Sequence, residues 1–438
     1  MDLFAGLIHS NGNVWKQHRR FCLRHLKDFG FGKSSLDSLI LQEFESMMDS
    51  VFVSAEKRGR SIIAVLDENL NAAVTNVIWW LLACKVTAQD QEFVDILRVI
   101  QVRIDFTILN LLSLFPGLNI FDPPSRFLRF PSLEQKRDYF YAYMQVREIL
   151  YLIEFHLVFG LSIDSFTQKI LQEHRETLDA ESPRDLIDCF LVEQKKWQSF
   201  QDKEKNYISD EMIEATLVDL FTAGAETTST TLRWIVLILI QNPAIMRKVC
   251  DEVDAVVGTA RLPCSSDADH VQTLEKWLKQ AKLKCPALSM HYTVATIWEV
   301  WRYITVVPFG LNRQVSQDMD IGGYRVPKGT IIITSILSMH QDSKSFENPH
   351  EFRPERFLDA EGNLMKNIPR IMPFQSGKRQ CLGESLARRT TFLGLTYLLQ
   401  NNTFEMVPGE VYDLEPKQES QILNLPKQFK VMITARHS

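Results

Sequence analysis

Cys381 is the residue with the most specific chemical surroundings. It lies in Phe374-Gln-Ser-Gly377-Lys-Arg379-Gln-Cys381-Leu-Gly383, just ahead of a helical stretch, with glycines at −4 and +2 and an arginine at −2. A thiolate placed there gains from the helix N-terminal dipole and from loose backbone N–H donors. The glycines let the loop turn tightly and let a flat group lie close to the backbone. Arg379 offers a cation to an anionic group, and Phe374 an apolar wall beside the sulfur. An isolated cysteine near a turn is ordinarily a buried structural thiol. The ten-residue pattern as a whole argues for a metal ligand.

A second constellation is Ala223-Gly224-Ala225-Glu226-Thr227-Thr228, in the middle of a long helical segment. A mid-helix glycine costs about 1 kcal/mol relative to alanine, and threonines can bond back to the preceding turn and bend the helix. The sequence therefore sets a weak point beside an acid and an alcohol. Glu299-Val-Trp-Arg302 is an i,i+3 ion pair on one helix face, a weak signal by itself because such pairs are common and usually solvated.

Together these motifs resemble the cytochrome P450 family, of the microsomal family-2 type that handles xenobiotics, fatty acids and steroids. The resemblance implies a mainly α fold with small β-sheets, and Cys381 as axial ligand of a haem b iron, where thiolate donation favours O–O cleavage. It implies that Thr227 hydrogen-bonds dioxygen and that Glu226 relays protons. Glu299, Arg302 and Arg356 are then a buried structural triad, with Asn348-Pro-His-Glu-Phe352-Arg-Pro354-Glu-Arg356-Phe357 at family-like distance. Trp15-Lys-Gln-His-Arg19 matches the family's Trp-x-x-x-Arg, so Trp15 and Arg19 are expected to donate to one haem propionate. Arg313 sits where the family has another propionate ligand, and Phe374, Arg379 and Gly383 belong to the haem loop.

Phe221, Ala223, Val306, Val307 and Phe309 match positions that face the family's distal pocket, and Leu423 and Leu425 are further candidates. Those two leucines would share a face if on a strand. Each could equally be core. The pocket they imply is apolar, so lipophilic substrates are expected. The implied partners are NADPH–cytochrome P450 reductase and cytochrome b5. A basic face of Lys16, His18, Arg20 and Lys378 would steer an acidic electron donor; an ordinary solvated face is the equal alternative.

The elements that must position these residues are mostly helices. Helical periodicity is expected after Gly12-Asn13, over Asp67 to Cys84 and over Leu186 to Trp197. Ser209 is a plausible N-cap, with Asp210 and Glu211 in the first turn, for a helix running to Ile240, where Asn242-Pro243 stops it. That helix is apolar nearly all round and should be central. Asp318 to Gly329 reads as a hairpin and Thr330-Ile-Ile-Ile-Thr as a buried strand. A helix is expected from about Leu382 to Gln400, and a second hairpin from Gln418 to Ala435.

Composition fits one soluble-type chain: 438 residues, 45% hydrophobic, 24% charged. A net charge of −5 gives no electrostatic case for nucleic acid. Seven cysteines, odd in number and scattered without a Cys-x-x-Cys pair, read as reduced thiols and not as a disulfide framework or zinc site. The longest apolar runs, Val77 to Cys84 and Trp234 to Ile240, fall far short of the roughly 20 residues that cross a bilayer.

The resemblance covers roughly 1–120, 180–262 and 291–438, as a single domain over 1–438 that begins downstream of the family's N-terminal anchor and first strands. The strand near Thr330 to Ser335 is accordingly expected to keep an unpaired edge. The stretch 263–290 is longer than the family's and reads as an insertion; 129–165 matches poorly. The implied location is the cytosolic face of the endoplasmic reticulum membrane. The expected reaction is insertion of one atom of dioxygen into a lipophilic substrate with electrons from NADPH through a reductase. Thr227 and Glu226 argue against a peroxide-isomerising variant, which needs no proton relay. The rival reading is a haem-binding fragment that does not turn over.

Overall fold

The computed structural model describes residues 6–31, 34–54, 61–84, 161–198, 208–268, 290–365, 371–417 and 423–436. Most of 129–165 and 263–290 lies outside them. Helices occur in the order α1 Gly6–His9, α2 Gly12–Asp28, α3 Asp37–Ser54, α4 Asp67–Ala83, α5 Leu161–Thr177, α6 Leu186–Gln198, α7 Asp210–Gln241, α8 Pro243–Val256, α9 His291–Ile304, α10 Ile336–His340 and α11 Glu384–Asn401. The strands are β1 Ile62–Ala64, β2 Arg313–Gln314, β3 Met319–Ile321, β4 Tyr324–Val326, β5 Ile331–Ile332, β6 Asn402–Met406 and β7 Val431–Ala435. The fold is thus mainly α with small antiparallel sheets.

The chain forms two compact units: residues 1–29, 79–222 and 418–421, and residues 30–78, 223–417 and 422–438. In the first unit, α2 buries Trp15, His18, Cys22 and Leu26, the stripe that a 3.6-residue period demands. Phe21 stacks on Phe190 of α6 at 4.6 Å between centroids, and His18 stacks on the same ring at 5.5 Å. His174 of α5 meets Asp185 at 3.0 Å, tying α5 to the turn before α6. Asp219 of α7 accepts the backbone N–H groups of Leu7 and Ile8 at 2.7 and 2.8 Å, satisfying donors that α1 cannot pair internally.

In the second unit α11 packs on α3, with Gly394 against the ring of Phe44, and α8 packs on both α9 and α11. Residues 228–240 of α7 are buried on every side, as expected of a central helix. Ser209 accepts the N–H of Met212 at 3.2 Å, a cap at the expected end of α7.

Three expectations are corrected. The tail does not form a hairpin of its own among the described residues: β7 is the central strand of a sheet ordered β1-β7-β6, with Ile433 opposite both Ile62 and Phe404. Leu423 and Leu425 are buried but precede that strand and lie on none. The strand expected over Thr330 to Thr334 is two half-buried residues, β5, paired with β2 alone among the described residues, and Ile333 is 41% exposed. One pairing edge and one covered face cannot bury it. The β3–β4 hairpin closes through Gly322-Gly323 as read from the sequence.

Candidate active site

Cys381 lies in a loop of the second unit, three residues before α11. Its N–H donates to Phe374 O at 2.9 Å, and Gln380 N–H donates to Gly377 O at 3.1 Å. Gly377 has φ +80°, a conformation that a side chain would strain. The Cys381 thiol is exposed, and Gly383 is so close that a Cβ there would lie 3.8 Å from Sγ. Phe374 is clamped: its ring meets Trp301 of α9 edge-on at 5.1 Å, and the Arg388 guanidinium of α11 lies 5.0 Å from both rings. Such cation–π and edge contacts hold the loop by its aromatic side chain.

Arg313, on β2, donates to Gln375 Oε1 at 2.8 Å. Burial pushes its guanidinium below its ordinary proton affinity, the mark of a cation partly stripped of water. Arg379 is half-buried and Lys378 exposed.

Behind the loop the Glu299–Arg302–Arg356 network is fully buried. Arg302 makes a two-pronged contact to Glu299 at 2.7 and 2.8 Å, and Arg356 Nε donates to the same carboxylate at 2.9 Å. The remaining guanidinium donors go to main chain: Arg302 to His340, Pro349 and Glu351, and Arg356 to Glu347, Asn348 and Glu351. Every charge is therefore spent on fixing the segment 340–356 that leads towards the cysteine loop.

On α7, Thr227 donates to Ala223 O at 2.7 Å, the back-bond expected of a mid-helix threonine. Thr227 is half-exposed and Ala223 exposed, while Ala225 and Glu226 are buried. Glu226 turns into a network instead: it accepts from Asn71 at 2.8 Å and Thr230 at 3.1 Å, and Arg233 lies 3.5 Å away, paired with Asp67 at 3.2 Å. Gly224 has a packing reason: a Cβ there would lie 2.6 Å from Ile78 Cδ1 of α4. The weak point read from the sequence is a close approach of two helices, and α7 runs through it unbroken.

Trp15 and Arg19 belong to the first unit. Trp15 is buried, with the Arg19 guanidinium 5.8 Å from its ring centroid. The basic face loses one member: His18 is buried, hydrogen-bonded to Thr216 Oγ1, and burial pushes its pKa down to about 4. The helix period turns it inward with Trp15 and Cys22. Phe221 is buried edge-on to Trp79 at 5.7 Å. Val306 is buried, Val307 half-buried and Phe309 52% exposed.

The sequence of the family described as Cytochrome P450 matches this chain over residues 2–149, 159–280 and 287–433. The chain belongs to the cytochrome P450 family. It is 32% identical to Cytochrome P450 2L1 of Panulirus argus over 99% of this chain and 79% of that protein. It is 33% identical to Cytochrome P450 2C20 of Macaca fascicularis and 32% identical to Cytochrome P450 2C8 of Homo sapiens, each over 97% of this chain and 76% of the relative. As a P450 it is a haem-thiolate monooxygenase, an oxidoreductase acting on lipophilic substrates.

The chemistry of the loop suits haem: an exposed thiol for iron, a partly desolvated Arg313 for a carboxylate, and a clamped Phe374 whose carbonyl accepts the Cys381 N–H. The sequence reading missed Asn71, His340 and Asn424. Asn71 was legible only as a polar residue inside an apolar helix. His340 sat in a stretch with no periodicity. Asn424 donates its side-chain amide to Ile304 O and Thr305 O at 2.8 and 3.0 Å, closing the C-terminal end of α9 from the tail.

Proposed function

We propose that this chain is a single P450 domain that inserts one atom of dioxygen into a lipophilic organic substrate of xenobiotic, fatty-acid or steroid type. Electrons come from NADPH through a flavoprotein reductase, with cytochrome b5 as a second donor, at the cytosolic face of the endoplasmic reticulum. The observation that carries the reading is the exposed Cys381 thiol on a loop pinned by Phe374, ahead of α11. Bound through that thiol, haem b supplies the oxygen-activating chemistry.

The chain's own residues have four tasks in this reading. Cys381 donates charge to the iron. Arg313 and Arg379 would hold carboxylates of the bound group, a task that the family resemblance also gives to Trp15 and Arg19. Thr227 spends its proton on Ala223 O, so its oxygen is left to accept a hydrogen bond on the exposed side of α7. Glu226, held by Asn71, Thr230 and Arg233, places a carboxyl group on the same turn for proton delivery. Val306, Val307, Phe309, Phe221 and Ala223 contribute apolar surface for the substrate.

No helix among the described residues is long and apolar enough to cross a membrane. The test is a carbon-monoxide difference spectrum of the reduced protein. A thiolate-type red-shifted Soret band that disappears in Cys381→Ala supports the reading, and absence of haem uptake by the wild-type chain overturns it. Turnover with reductase and a lipophilic probe then separates an enzyme from a haem-binding protein. Thr227→Ala should consume oxygen without matching product.

A further inference from the structure

His340 ends α10 with no exposed surface, and both of its ring nitrogens are engaged. Met372 N–H points at Nε2 across 3.0 Å, and Nδ1 lies 2.8 Å from Thr305 Oγ1. A backbone N–H can only donate, so Nε2 carries no proton. The Thr305 hydroxyl gives its own proton to Arg302 O at 2.9 Å, so Nδ1 must carry the ring proton and donate it to Thr305. These directions leave one tautomer of the neutral ring. Burial and the positive charge of Arg302 agree, holding the imidazole pKa down at about 4.

The two ends of this relay matter. Thr305 is the C-cap of α9 in the left-handed region, φ 47°, three residues after Arg302 of the Glu299 network. Met372 opens the cysteine loop: its carbonyl accepts Gln375 N–H at 3.1 Å, and one residue earlier Phe374 O takes Cys381 N–H. Arg302 also donates to the His340 carbonyl at 3.0 Å, so the ring is held from its backbone side as well. The run is Arg302–Thr305–His340–Met372, and the loop hangs from its last member.

We propose that His340 is a positioning residue for the Cys381 loop, a neutral imidazole that fixes the backbone at Met372 relative to the end of α9. Its consequence for ligation rests on the reading of Cys381 as the haem ligand; its role in holding the loop does not. Truncating Nε2 leaves the half-buried Met372 N–H without its acceptor on the His340 side, a loss that water only partly replaces.

Glutamine and asparagine separate the two nitrogens. His340→Gln places a carbonyl oxygen near the position of Nε2, so it can still accept from Met372. His340→Asn reaches only the Nδ1 position, so it can satisfy Thr305 but not Met372. The measurement is amide hydrogen exchange on the full chain, first without haem, comparing residues 371–381 with the β7 strand of the same unit. His340→Asn should speed exchange at Met372 and through the loop roughly tenfold or more, with β7 unchanged, and His340→Gln should stay near the wild type. In haem-loaded protein, His340→Asn should show a smaller share of the thiolate-type reduced carbon-monoxide band than His340→Gln.

Equal loop exchange in the wild type and both variants overturns the proposal, as does faster exchange spread evenly over β7, which marks general loosening. A freed loop with an unchanged thiolate band overturns the positioning of the sulfur. If the wild type gives no thiolate band at all, the functional reading falls, and the exchange data alone decide what His340 holds.

Discussion

Asn71 of α4 and Glu226 of α7 meet across 2.8 Å with the amide donating, 155 positions apart in the chain. Asn71 in turn accepts from Thr75 at 3.0 Å, which fixes which way its amide points. The pair is one side of a buried cluster that includes Thr230, Arg233 and Asp67. Asn71→Leu removes the donor and leaves a buried carboxylate short of one partner, an expected loss of about 1–3 kcal/mol in a denaturant melt. Asn71→Asp should lose more, because two carboxylates then face each other. Equal losses for the two variants would show that the donor is not what the site needs.

Asp219 gives the first unit a pH slope. Burial pushes its carboxyl up to about 7, against the two N–H donors of Leu7 and Ile8 that pull the other way. A carboxyl with a raised folded pKa keeps its proton after the unfolded chain has lost one near pH 4. Its contribution is therefore full below about pH 4 and declines as pH rises towards 7. Part of the residue still meets solvent, so the effect is a slope and not a large step. Asp219→Asn keeps an oxygen for both N–H groups and removes the ionisation. Its melting temperature should match the wild type near pH 4 and exceed it at pH 8. A variant less stable at both values would mean that the charged carboxylate is what caps α1.

The two buried histidines of the same unit should bend the pH profile in opposite senses. His18 is pushed down to about 4 by burial, so below about pH 6.5 the unfolded chain takes a proton that the folded one refuses. Stability is lost as pH falls from about 6.5 to 4, by roughly 3 kcal/mol at most for a shift of that size. His174 is raised in spite of its desolvation because Asp185 accepts from it, so its contribution is present below about pH 6.5 and is lost as pH rises through its folded value. His18→Gln should flatten the acid side of a melting-temperature profile, and His174→Gln the alkaline side. Parallel profiles for both variants and the wild type would contradict this assignment of protons.

These networks mark the limit of what the residues alone disclose. Helix ends were legible because their signals are local: Ser209 caps α7, and Asn242-Pro243 ends it at Gln241. The Glu299-x-x-Arg302 pair was legible because three residues set one helical face. The partner of β7 was not, since alternation identifies a strand but not which strand, 30 or 370 positions away, will pair with it. His18 read as part of a basic face with Lys16, Arg20 and Lys378, although the period of α2 turns it inward. At the loop, glycine spacing and Phe374 showed where the thiol would be offered. The clamp of Trp301 and Arg388 on Phe374 comes from two distant helices and left no local trace.

Glu299 is the residue on which the second unit should prove least tolerant. Its two oxygens accept from Arg302, Arg356 and the N–H of Arg353, and Glu299, Arg302 and Arg356 are themselves buried. Removing the carboxylate strands two buried guanidinium groups, and such a break costs about 3–5 kcal/mol. Glu299→Ala and Arg356→Ala should each approach that loss in denaturant midpoint. Arg302→Lys should also be costly, since one ammonium cannot reproduce a planar fork that serves Glu299 and three main-chain carbonyls at once. The decisive comparison is Glu299→Ala with Arg302→Leu in one chain. Charges that matter to each other give a double variant well short of the summed single losses, because the second deletion removes a group already stranded. Strict additivity would show that each residue is merely large and buried, and that the ion pair itself holds nothing in place.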